Sequence, residues 1–470
     1  MKKLLSLSLI ILLLILSIPL IGCNGNGSTT TQDVTTTSPD NNAHKLLING
    51  RNIHDYKIII PSECTNIVKY AASNLALLLK QVTGIALPID YDSCAESECE
   101  ILIGDTNRNA SSTSSELGDG EYLLHTNGSK IVMKGYEIYV GAACGVFVNE
   151  HIGPKLSESS DTDITSLPTS ENARKFSWEG YELHNVIFMI GDGMGKQHVK
   201  MAERNGLTKF IGNKLPNIGS SKTASLSVIN GEIGWTDSAA SATAMSTGYK
   251  TLNSYLGLDG EGNILKNVRE LALENGAKTA IITTDVITGG TPAAYLCHHN
   301  DRRDTPTLQS QIDNIISSNK IDYIAGDVGN DLTDKVAEAL TSISAGNSQF
   351  FIMIEEAQID KASEEHEYFE VVNYVKRFDD AIAYASQYAL CHPDTALIVT
   401  ADHETGQLTP NISMEAKFEF KTYHHTNLNV GIYALGPGTE RYNNTTVENT
   451  DLAVFTASAY TDSAFGNVTK

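Results

Sequence analysis

Unbroken apolar runs recur through the C-terminal part of the chain: Asn185 to Ile190, Lys278 to Thr284, Phe350 to Ile354 and Ala396 to Thr400. Each is of strand length and rich in β-branched or aromatic residues, which predicts strands buried on both faces, as in a parallel sheet. The earlier part alternates differently. A run at Lys57–Ile60 precedes a stretch that places Val68, Ala71, Leu75, Leu78, Leu79 and Val82 on one side of a helix, and strands are predicted near Glu100–Ile103, Glu121–His125 and Lys130–Met133. These patterns predict an α/β chain: a small α/β unit over 44–154, then a mostly parallel sheet flanked by helices over 181–470. Residues 155–180, rich in Ser, Thr, Asp and Glu, read as a linker, so the C-terminal part is expected to fold alone.

The first residues follow neither pattern. Lys2 and Lys3 precede an apolar run from Leu4 to Ile21, and Leu20-Ile21-Gly22-Cys23 has the form of a bacterial lipoprotein cleavage site. The expectation is a signal over 1–23 with Cys23 lipidated; a retained transmembrane helix is the other reading of the same run. Both place the protein outside the cytoplasm, on the bacterial cell membrane. Residues 24–43, mostly Thr, Ser, Asn, Gly and Asp, read as a flexible linker.

Composition narrows the partners. With 56 acidic against 34 basic residues and a formal charge of −22, nucleic acid is excluded as an expected partner, because phosphate backbones demand clustered Lys and Arg. A 41% hydrophobic content is ample for globular cores. Cys94 and Cys99 are close enough to pair in an exported chain, while Cys144, Cys297 and Cys391 sit in apolar contexts that suit buried thiols. Assembly stays open, a homodimer included.

Candidate chemistry clusters at the strand ends. Gly191-Asp192-Gly193-Met194-Gly195 follows the first run, Glu355 and Asp360 the third, Asp402-His403-Glu404 the fourth, and the second leads through Gly289-Gly290 to Thr291. Ligands of an open α/β sheet bind beyond the carboxyl ends of its strands, so these residues are expected to converge. Thr236-Asp237-Ser238-Ala239-Ala240 sets a serine at a predicted helix start, where Thr236 or Asp237 caps and unpaired N–H groups favour an anion beside the Ser238 hydroxyl.

Taken with Thr291-Pro292-Ala293-Ala294, Thr400 to Gly406 and His425-Thr426, these motifs resemble the alkaline phosphatases in order and approximate spacing, from about Asn185 onward. The resemblance implies Ser238 as nucleophile, one zinc site of Asp192, Asp402 and His403, a second with Asp360 and His425, and a magnesium site of Asp192, Thr291 and Glu355. It also implies a phosphate clamp at Arg302, eleven residues beyond Thr291. Two zinc ions suit in-line displacement at phosphorus, and oxygen-only donors suit magnesium. The expected activity is hydrolysis of small phosphate monoesters through a phosphoserine. A phosphodiesterase of the same superfamily, and a surface glycan-binding lipoprotein with a decayed phosphatase domain, stay as alternatives. The unit at 44–154 resembles the non-catalytic domain of hexosaminidase- and glucuronidase-type glycosidases, which implies a glycan contact.

Two positions depart from the family pattern. Where the family has a histidine four residues after Asp360 this chain has Glu364, with His366 two further on; Glu364 is the expected zinc ligand and His366 the alternative. Gly289 stands where the family has Asp or His, which implies looser magnesium hydration, a Lys361 deprived of a partner, and slower turnover.

Overall fold

The computed structural model describes residues 45–112, 115–158, 161–164, 167–207, 209–346, 348–414, 416–461 and 463–466. The stretch expected to be a signal, with Cys23, and the stretch 24–43 lie outside them. Among the described residues no helix is long and apolar enough to cross a membrane.

All four long apolar runs are strands of one eight-stranded sheet. Five strands run parallel in the order Tyr323–Ala325, Lys278–Thr283, Phe350–Glu356, Asn185–Gly191 and Thr395–Thr400. Val430–Leu435 then joins antiparallel, followed by Asn217–Lys222 and Thr446–Glu448. Period-two alternation divides each central strand between two cores. Ile187, Met189, Ile352, Ile354, Leu397 and Val399 face one, and Val186, Phe188, Ile190, Phe351, Met353 and Ile398 the other. Both faces are therefore apolar, which is why these strands lack a polar period.

On the second face lie the helices Ser238–Thr247, Val268–Glu274, Gly290–Leu296 and Thr450–Ala457. The first face is covered by one long helix, Tyr368–Cys391, with Leu332–Ile343 beside it.

The N-terminal unit forms its own six-stranded sheet, in the order Ile89–Tyr91, Lys57–Ile60, Glu100–Ile103, Lys130–Gly135, Glu121–Asn127 and Arg174–Lys175. The helices Asn66–Thr83 and Val140–Val146 cover one side of it and also pack on the long helix of the larger sheet. Tyr70 meets Tyr384 edge-on with centroids 5.3 Å apart, Asn66 Nδ2 donates to Asp380 Oδ1 at 2.6 Å, and Gln387 Nε2 to the Ile138 carbonyl at 2.9 Å. A Cβ on Gly145 would stand 2.5 Å from the Leu390 carbonyl oxygen, so the two helices touch backbone to backbone.

This packing corrects two expectations. One hydrophobic cluster runs through both units, so the larger one, which also holds a second cluster wholly its own, shares one of its two cores with the N-terminal unit. The stretch 155–180 is also more than a linker: Asp161–Ile164 pairs in parallel with Lys45–Ile48, and Arg174–Lys175 pairs with Glu121–Tyr122. Both pairings lie at sheet edges, and Arg174 and Lys175 are both exposed. Cys94 and Cys99, close enough in sequence to pair, are not bonded to each other; Cys99 turns into the core, whereas the Cys94 carbonyl is held by Arg108 Nη2 at 2.9 Å. Cys144, Cys297 and Cys391 are buried thiols as expected.

Candidate metal centre and nucleophile

Ser238 opens the Ser238–Thr247 helix, and Asp237 is its cap, with Oδ1 accepting from Ala240 N at 2.9 Å. The other Asp237 oxygen accepts from Ser254 N at 2.9 Å and from Arg302 Nη1 at 3.2 Å. Asp237 thereby sets the nucleophile and the cation of Arg302 on one side of the helix start. Gly290 leaves room for that cation, since a Cβ there would stand 2.5 Å from Arg302 Nη2.

The strand ends converge as the pattern predicts. Ser238 Oγ lies 3.3 Å from His403 Nε2, which is 3.4 Å from Asp192 Oδ1 and 3.3 Å from Asp402 Oδ2. The opposite ring nitrogen of His403 is 4.0 Å from Asp360 Oδ1, and His425 Nε2 is 3.5 Å from that same oxygen. Two donor groups result, Asp192–Asp402–His403 and Asp360–His403–His425, with His403 common to both. The rings of His403 and His425 stack at 3.6 Å.

Neighbouring strands and loops aim each donor. Asp402 Oδ1 accepts from the backbone N–H of Gly193 and His403, at 3.1 and 2.9 Å, which leaves Oδ2 to face the centre. His425 Nδ1 donates to the Thr236 carbonyl at 2.9 Å, turning Nε2 inward. Thr405 hydrogen-bonds Asp360, and Thr283, paired with Glu355 across the strands, hydrogen-bonds that carboxylate. Gly193 has to be glycine: its φ is +71°, and a Cβ would stand 2.7 Å from Asp360 Oδ1. Glu356 is consumed elsewhere, by Arg377 through two hydrogen bonds of 2.6 Å, so Glu355 alone of the pair faces the site.

The donors fit metal ions. Asp192 Oδ1, Asp402 Oδ2 and Thr291 Oγ1 are buried without a hydrogen-bond partner. Burial, then the neighbouring carboxylates, raises Asp192 well above the usual range and pushes Asp402 up to about 6; burial likewise takes Glu355 to about 8. So many buried acids in one place need a cation. Carboxylate and imidazole donors suit zinc around His403, and the oxygen-only set Asp192, Glu355 and Thr291 suits magnesium. Against its burial, the carboxylates of Asp360 and Glu364 push His425 up to about 10.

Of the two residues left open near Asp360, the structure brings in Glu364. Its Oε1 lies 3.6 Å from His425 Nε2. His366 instead stacks between Tyr423 and Phe420, at 3.9 and 4.9 Å, while its Nε2 bonds the Thr422 carbonyl at 2.9 Å. The short helix Gln358–Glu364 places Asp360 and Glu364 one turn apart and ends before His366.

Gly289 also reads differently in three dimensions. Lys361 does not lack a partner: its Nζ pairs with Asp285 Oδ1 at 2.5 Å. The sequence pattern offered Asp237 as a cap but had no means of showing its hold on Arg302, nor Thr283, Asp285 or Thr405, whose roles come from cross-strand register and loop return.

A model of the Alkaline phosphatase family matches residues 183–328 and 322–449. Alkaline phosphatase 4 of Bacillus subtilis is 28% identical over 305 residues, a match covering 52% of this chain and 66% of that relative. Alkaline phosphatase of Escherichia coli is 37% identical over 125 residues, 25% of this chain and 26% of its own. The alkaline phosphatase of the Antarctic bacterium TAB5 superposes with a TM-score of 0.55 at 25% identity, over 59% of this chain and 98% of its own; a mutant of that enzyme holds Mg in a site called M3.

Proposed function

Because this chain belongs to the alkaline phosphatase family, we propose that it hydrolyses small phosphate monoesters through a phosphoserine at Ser238. The observation that carries the reading is the place of Ser238 Oγ, at a helix start 3.3 Å from His403 Nε2, where the two donor groups meet.

Ser238 Oγ attacks phosphorus, the Oγ–P bond forms, and the ester oxygen leaves on the opposite side. Arg302 clamps two phosphate oxygens through its planar fork, held in place by Asp237. The helix N-terminus adds backbone N–H groups facing the anion. Water then attacks the phosphoserine, the Oγ–P bond breaks, and inorganic phosphate departs. When bound, two zinc ions at the donor groups around His403 and one magnesium ion at Asp192, Glu355 and Thr291 supply the positive charge that steadies the attacking and leaving oxygens.

Turnover of p-nitrophenyl phosphate, its diester and the corresponding sulfate, measured with zinc and magnesium, tests the reading. Preferred turnover of the monoester is the expected result. Preference for the diester assigns the site to a phosphodiesterase, and no turnover of any ester by metal-loaded protein leaves a decayed centre.

A further inference from the structure

Asp285 stands just beyond the Lys278–Thr283 strand and touches residues on either side of the oxygen-only pocket without belonging to it. Its backbone N–H donates to Thr283 Oγ1 at 2.9 Å, the same hydroxyl that hydrogen-bonds Glu355. Its carboxylate reaches over Gly289, where a Cβ would meet Asp285 Oδ2 at 3.0 Å, two residues ahead of Thr291. The other carboxylate oxygen pairs at 2.5 Å with Lys361, the neighbour of Asp360 on the Gln358–Glu364 helix. The Asp285 carbonyl is itself pinned by Asp327 N at 2.7 Å, so this is a fixed loop.

Gly289 adds a second observation. Its φ and ψ of −57° and 157° are open to any residue, so its backbone does not call for glycine. What a side chain would meet there is the Asp285 carboxylate and, at 3.0 Å, the Val286 carbonyl. The space a side chain at Gly289 would take is thus already filled by an acid from earlier in the same loop.

We propose that Asp285 is a positioning residue for the Glu355–Thr291 magnesium site, coupling it through Lys361 to the helix that carries Asp360 and Glu364. The Lys361–Asp285 pair is too exposed, with side chains 49% and 23% accessible, to matter much for stability. Its use is geometric: it ties the carboxylate that lies over Gly289, two residues ahead of Thr291, to the residue next to Asp360. The proposal rests on the metal-dependent monoesterase reading.

The test is a double-mutant cycle on the full-length chain with two readouts, Mg2+ affinity by calorimetry without substrate and turnover of p-nitrophenyl phosphate. Asp285→Asn and Lys361→Ala are each expected to weaken Mg2+ binding and turnover by roughly 10-fold or more, the usual range for groups behind metal ligands. The double variant should be little worse than either single one. Gly289→Asp should impair the wild-type protein, by crowding two acids, yet restore much of the lost Mg2+ affinity in an Asp285→Ala background. Mg2+ affinity within twofold of wild type in Asp285→Asn, or additive losses in the double variant, would overturn the proposal. A wild-type protein that binds Mg2+ but turns over no monoester sinks the monoesterase reading instead, and Asp285 is then judged on affinity alone.

Discussion

His403 is the side chain on which the site turns, since Ser238, Asp192, Asp402 and Asp360 all lie within 4.0 Å of its ring nitrogens. Burial first, then His425, holds its pKa well below the usual histidine value, which keeps a lone pair for a metal. Ser238→Ala is expected to fold and hold its metals but to lose turnover by roughly 10³-fold, water attack promoted by the ions and Arg302 remaining. Steady-state kinetics with metal analysis checks this, and a variant within twofold of wild type removes Ser238 from the mechanism. Glu364→Ala should lower zinc content and rate together, Glu364→His should keep or raise the rate, and His366→Ala should leave zinc content unchanged. Zinc loss confined to His366→Ala would reverse the assignment. Asp192, Asp360, Asp402 and His403 were legible in the sequence because they follow closely on strands, whose ends meet by geometry, and Ser238 because it sits at a capped helix start. Their supports were not: Asp237 acts on Arg302, and Thr283 on Glu355, across 65 and 72 residues of chain.

At the scale of elements, the strands were readable because a doubly covered sheet leaves an unbroken apolar run, and the Ser238 helix because its cap and small residues sit together. The long helix Tyr368–Cys391 was harder to place. Its buried residues go nearly all round in its last turns, from Ala381 to Cys391, which says that something covers the outer side but not what. The cover is the N-terminal unit, through Gly141 and Gly145. A Cβ on Gly145 meets backbone atoms of Leu390 and Cys391, which cannot swing aside as a side-chain tip would. Gly145→Val is therefore expected to destabilise by about 1–3 kcal/mol or more, the range for overpacking a dense contact. A solvent-exposed glycine such as Gly262, whose Cβ would meet nothing within 4 Å, offers no comparable contact. Urea unfolding of Gly145→Val that matches wild type would show that the two units are not in backbone contact.

For the whole molecule, the shared core means that residues 175–470 alone expose the buried outer side of that helix, including Tyr384 and Leu390. That fragment is expected to be insoluble or loosely folded, and a soluble, fully active one would show that the interface adds little. Metal loading offers the other global handle. Asp192, Asp402 and Glu355 have folded pKa values raised above their unfolded ones, to about 6 and about 8 for the last two. Such groups favour the folded state when protonated, so their contribution is present below about pH 4 and is lost as pH rises through about 6 to 8. His425, raised to about 10, adds stability below its unfolded value near 6.5 that is lost as pH rises through about 10. Asp360, lowered by His425 and His403 despite its burial, contributes in the opposite sense, above about pH 4. The buried His392, and Asp379 at about 7, also titrate, but they lie outside the donor groups and none of the donors is among the causes of their shifts. The gain in melting temperature on adding zinc and magnesium to chelator-stripped protein should therefore grow from about pH 5 to about pH 9, as the repulsion of three buried carboxylates and the loss of their competing protons come to act together. Differential scanning calorimetry at both pH values measures it. A gain that is constant or shrinks with pH would mean that these carboxylates do not face a common set of ions.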